Sequence, residues 1–138
     1  MPDTHLGPVD YVVVEFSDPA AVRAGFDRLV GLVDSGLIRI LDLEFIHGID
    51  GVASTIPADR VGAEFKRFDG AASGLLDRDD LDKVAADLEH GSTAAVLVYE
   101  DLSIVAVLDA WEAGGATIVA EGPVDLDDLE AAADEDPA

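Results

Sequence analysis

Residues 93–121 set the tightest limit on what this chain can fold into. Thr93–Tyr99 is an apolar run. Asp101 offers a helix cap, Leu102–Trp111 has the length and composition of a helix, Gly114-Gly115 stops it, and Ala116–Glu121 is a second apolar run. Strand, helix, glycine stop and strand in that order make a β-α-β unit. The N-terminal third repeats the plan. Tyr11–Phe16 is β-branched and aromatic, and Ser17-Asp18-Pro19 starts a helix, with proline where its missing N–H does no harm. Val22, Phe26, Leu29, Val30 and Val33 form one apolar stripe, Gly36 closes the helix, and Leu37–Ile46 is the next strand.

Two β-α-β units with right-handed crossovers fold together most simply as an α+β, ferredoxin-like βαβ-βαβ sandwich. This predicts a four-stranded antiparallel sheet with helices on one face and an insertion between strands 2 and 3. A doubly wound parallel sheet is the alternative. The near-continuous apolarity of Tyr11–Phe16 predicts a central strand buried on both faces. In Leu37–Ile46, Arg39 alternates with Leu41, Leu43 and Phe45, while Asp42 and Glu44 fall on the other set, as expected near a sheet edge.

The insertion, His47–Gly74, is rich in glycine. It predicts a loop, with a hairpin through Asp50-Gly51 or a short helix around Asp59–Phe68. Asp77 then caps a helix over Arg78–Glu89, with Leu81, Val84, Ala85 and Leu88 facing inward and Gly91 ending it. The whole, 1–138, reads as a single domain: 1–8 a lead-in, 9–122 the globular core, and 123–138 an acidic, partly disordered tail in which Leu126 and Leu129 can dock one or two helical turns.

Charge excludes several function classes. Asp and Glu number 30 against 8 Lys and Arg, giving a formal net charge of -22. Such a field repels phosphate backbones and anionic lipid, so no nucleic acid and no membrane partner is expected. Hydrophobic residues, at 49%, still suffice for a packed core. There is no cysteine, which removes thiolate catalysis, disulfides and Cys-ligated metal. Met1–His5 carries neither a basic segment nor an apolar core, and Leu102–Trp111 is far too short to span a bilayer of about 30 Å. A cytoplasmic location is the expectation.

Motifs for chemistry are sparse. His5, His47 and His90 are isolated from one another, and no His-x-x-x-His pair supports a metal site. The acidic runs Asp77–Asp82 and Asp125–Glu130 lack the spacing of a calcium loop and read as helix starts. No phosphate-binding glycine loop, dinucleotide fingerprint or nucleophile elbow is present. No cofactor is therefore expected. His47, at the exit of the second strand, can meet Glu15 or Glu44 in a candidate pocket beside the insertion. In the predicted fold Glu100 comes near Arg39 as a structural ion pair. Helix Leu102–Trp111 is apolar nearly all round: Ile104, Val107, Leu108 and Trp111 line one side, while Leu102, Ala106 and Ala110 line the other. Such a helix is covered on more than one side, by the His47–Gly74 insertion, the C-terminal tail or another subunit, and the last of these makes the first four a candidate interface.

Three segments carry a family resemblance: Gly7–Phe16, Gly36–Leu43 and Val98–Glu100. From about Gly7 to Gly122 the chain resembles a family of small acidic bacterial proteins, mostly actinobacterial, catalogued only as a domain of unknown function. That family has no established activity, so the resemblance implies no catalytic residue. It looks related to stress-associated membrane-protein families, but the transmembrane segment some of them carry is absent here. The expectation is a non-enzymatic protein–protein interaction module, including self-association as a homodimer. The alternative is a small-molecule-binding protein or enzyme with its pocket between the sheet and residues 46–74.

Overall fold

The structure, a computed structural model, describes residues 6–89 and 91–122. The expectations for residues 1–5 of the lead-in, for His5 and His90, and for the tail 123–138 lie outside the described residues. Four antiparallel strands form one open sheet: β1 (Val9–Phe16), β2 (Ile38–Ile49), β3 (Val52–Ile56) and β4 (Thr93–Asp101), in the order β1-β4-β2-β3. Among the described residues, four α-helices accompany them: α1 (Arg23–Asp34), α2 (Ala58–Val61), α3 (Arg78–Ala86) and α4 (Ser103–Ala113).

The α+β class and the four-stranded antiparallel sheet stand as expected. The ferredoxin-like detail is corrected. The strands expected as first, third and second do lie side by side in that order, as β1-β4-β2. The expected fourth, Ala116–Glu121, is not a strand, and among the described residues the place it would take beside β1 is open. The fourth strand is instead β3, which pairs with β2 at the other edge. β1 is therefore an edge strand, and β2 lies inside the sheet. Burial follows partners, so a run of valines without a neighbour on one side stays largely exposed.

β3 arises from the Asp50-Gly51 turn. Both residues have positive φ, 53° and 75°, as a tight hairpin turn demands. The rest of the insertion forms α2 and a 3-10 segment, Ala63–Phe68, across the region where a short helix was expected.

The sheet is covered on both faces, not one. Register places Phe16, Val14, Leu97, Ala95, Leu43 and Phe45 on the first face. There Phe26 and Leu29 of α1 meet them, and Phe65 and Phe68 from the insertion close the core. The Phe26 ring lies 5.7, 5.3 and 5.2 Å from those of Phe45, Phe65 and Phe68. On the second face Leu81 and Ala85 of α3 pack on Ile46, Ala53, Ala94 and Val96. Asp77 accepts from the Asp80 N–H at 2.9 Å while Asp80 accepts from the Asp77 N–H, a reciprocal cap for α3. Gly48 sits beneath this helix. A Cβ there would come within 3.1 Å of the Ala85 carbonyl oxygen, so a larger residue would push α3 outward, and glycine lets it lie this close.

The other helix expected on the first face, α4, lies at the start of β1. Of its residues only Leu108 is buried. Leu108 lines a hollow of about 550 Å³ with Pro8, Val9, Glu121 and Gly122.

Phe26 carries the most ring contacts. Phe26→Ala should lower stability by about 3–5 kcal/mol, read by urea denaturation. A loss under about 1 kcal/mol would mean that this cluster is not the core that holds α1.

Candidate functional site

The three polar candidates fall on two faces of the sheet. Glu15 pairs with Ala94, Glu44 with Val96 and His47 with Thr93. Ala94 and Val96 share the second face, while Thr93 belongs to the first. The alternation along β4 thus sets Glu15 and Glu44 on one side and His47 on the other. Glu15 and Glu44 also lie on strands separated by β4.

Each of the three has local partners. Glu15 accepts from the Ser92 hydroxyl and, at 2.8 Å, from the Glu89 backbone N–H. These two bonds, the hydroxyl's first, hold its carboxyl below the ordinary range. The contact ties the end of β1 to the segment leaving α3. His47 Nδ1 lies 3.1 Å from the Thr93 hydroxyl of its cross-strand neighbour.

Glu44 differs. Register shifts between Ile40 and Asp42, leaving Leu41 as a bulge. The bulge brings Arg39, Asp42 and Glu44 onto the same face, where uninterrupted alternation would separate Arg39 from the two acids. Asp42 is fully buried. Its two oxygens accept from the Ser73 and Leu76 N–H groups, both at 2.9 Å, and the Ser73 hydroxyl donates to the bulged Leu41 carbonyl at 2.6 Å. Glu44 sits beside it. Burial first, then the hydrogen bond and the charge of Asp42, push the Glu44 carboxyl up from 4.5 to about 7.

Glu44 is also among the residues around a hollow of about 250 Å³ against the insertion, with Phe45, Pro57, Phe68 and Gly70, but Phe45 and Phe68 belong to the first face and register turns the Glu44 side chain to the second. A carboxyl that titrates near neutral pH is able to donate or accept a proton there. Sequence reading named Glu44 but missed Asp42, which has the appearance of one more acid on a solvated strand face. His47 does not line this hollow.

Glu100 is 3% exposed. It accepts from the Gly7 N–H at 2.8 Å, and its second oxygen lies 3.7 Å from Arg39, the expected ion pair. Its roles are to anchor the N-terminal segment and to hold β4 against β2.

The apolar candidates divide too. Ile104, Val107 and Trp111 are 38, 39 and 55% exposed, while Leu108 is buried. β1 adds an apolar surface that sequence reading assigned to the core: Val9, Tyr11, Val12 and Val13 are 36 to 72% exposed beside the sheet's open edge.

Among the described residues, no helix is long and apolar enough to cross a membrane, and no group of three or more His, Asp or Glu is placed to hold a metal ion. Compared with known proteins, residues 5–136 match the model of a family of unknown function, DUF6325. No curated protein and no solved structure matches.

The raised Glu44 carboxyl has a pH consequence. Below pH 4.5 the folded and unfolded chains both hold this proton. Between 4.5 and about 7 the unfolded chain loses it while the folded chain keeps it, so stability falls as pH rises through that window. Glu44→Gln, whose amide can still donate to Asp42, should lack that fall. Thermal melts of both chains from pH 4 to pH 8 check this, and parallel curves would refute it.

Proposed function

The chain belongs to the DUF6325 family, whose function is unknown, and we propose that this member is a non-enzymatic, cytoplasmic protein–protein interaction module that self-associates through the open edge of β1. The observation that carries the reading is that edge. It is eight residues long, its exposed side chains are mostly apolar, and it has none of the lysines, prolines or bulges that commonly guard free edges.

Self-pairing is also compatible with the charges. A two-fold axis through Val12, normal to the sheet, sets Asp10 opposite Val14 and Glu15 opposite Val9 of the second copy, so no acid faces an acid. Tyr11 then meets Val13, an aromatic and β-branched pair of the kind that stabilises neighbouring strands. The net charge of -22 opposes association of two copies at low ionic strength, and salt relieves that opposition. The exposed Ile104, Val107 and Trp111 of α4, close to the start of β1, offer a second apolar contact.

One observation favours a second reading. Glu44, whose carboxyl is raised, lies on the strand segment that borders a hollow between the sheet and the insertion, and a small polar ligand bound at that edge is the second reading. Stabilisation by a metabolite that is lost in Glu44→Gln would support it.

Light scattering at low salt and near about 1 M salt tests the first reading. A mass of twice 14.4 kDa is expected. Tyr11→Lys with Val13→Lys should return it to 14.4 kDa with the fold intact. Val107→Asp separates the two surfaces, because it leaves the dimer in place if β1 alone holds it. A wild-type monomer at both salt concentrations would overturn self-association.

A further inference from the structure

The first face of the sheet has an uncovered groove. It runs between α1 and β1, encloses about 410 Å³ and is lined by Val12, Val14, Phe26, Leu29, Leu32 and Leu97. The single charged residue on its wall is Arg28. Arg23, Arg39, Arg67 and Arg78 pair with acids, whereas Arg28 has no such partner among the described residues. Arg60, Lys66 and Lys83 have no ion-pair partner among the described residues either, but of these four cations only Arg28 borders this apolar trough.

We propose that residues 123–138 of this same chain fill that groove, with Leu126 and Leu129 in the trough and the acids around them against Arg28.

Position, length, pattern and charge all favour this occupant. The described chain reaches Gly122 beside Pro8 and Val9, at the start of the strand that forms one wall of the groove. The groove's lining along α1, from Val22 to Leu32, spans about 15 Å. A helix over Val124–Ala133 is about 15 Å long, close to that length. Leu126, Leu129, Ala132 and Ala133 recur at helical spacing and make one apolar stripe. Asp125, Asp127, Asp128 and Glu130 flank it, opposite in charge to Arg28. Tethering also helps: a segment joined to the domain meets its groove at millimolar effective concentration, so modest contacts suffice. The cover leaves the outer edge of β1 free, so the inference stands whether or not two copies pair there.

The absence of cysteine makes the test direct. A nitroxide on Ala132→Cys in the full chain should weaken the amide NMR signals of Val12, Gly25, Leu29, Leu32 and Leu97 above all others. Adding Leu126→Asp and Leu129→Asp should abolish that pattern. Arg28→Glu should lower the docked population by about twofold or more. Weakening spread evenly, absent, or centred on α3 or α4 would overturn the proposal. So would the same pattern in a mixture of labelled unenriched chain and unlabelled enriched chain, because the tail in the groove would then belong to a second copy.

Discussion

The structure depends on two-sided burial of β4. Ala94, Ala95 and Val96 are each at most 2% exposed, and strands flank β4 on both edges. A strand so enclosed needs a cover on each face. α1 and the phenylalanines of the insertion supply the first, and α3 supplies the second. Small residues at the centre of β4 let both covers come close, and Gly48 does the same one strand away. Removing either cover would expose apolar area that no other element of the described chain can hide.

The insertion is therefore part of the core. Phe65 is fully buried, and Phe68 is nearly so. The loop that follows is held by Asp42, whose two oxygens take backbone N–H groups from Ser73 and Leu76. A buried carboxylate is costly unless bonded, and here its bonds fix the path of the chain into α3. The same arrangement raises Glu44. The unusual carboxyl of this protein is thus a by-product of how the insertion is fastened, which is why the small-molecule reading rests on less than the open edge does.

Much of this was legible in the sequence, and the failures have physical causes. The Asp50-Gly51 turn, the Asp77 cap, the stripe of α1 and the Arg39–Glu100 pair follow from local rules or from the β1-β4-β2 order, and all are present. The placement of β1 was misread because a run of valines signals extended backbone, not the number of neighbours. Ala116–Glu121 has strand composition without strand pairing, for the same reason. In the candidate pocket, Glu44 and His47 differ by an odd number of positions on one strand, so period-two alternation alone sends them to opposite faces. The Leu41 bulge, which moves Arg39 to the face of the two acids, left no mark in the composition.

β1 is clamped at both ends. Near its start, Gly7 donates to Glu100 and the Pro8 carbonyl accepts from Asp101; near its finish, Glu15 is held by Ser92 and Glu89. These ties oppose fraying and register slip of the open edge between them. A strand that adds to it meets a template already in its bound shape, so nearly all the entropy of ordering falls on the incoming chain. Discrimination among partners would then depend less on how they fit the edge than on how readily each one extends before it arrives.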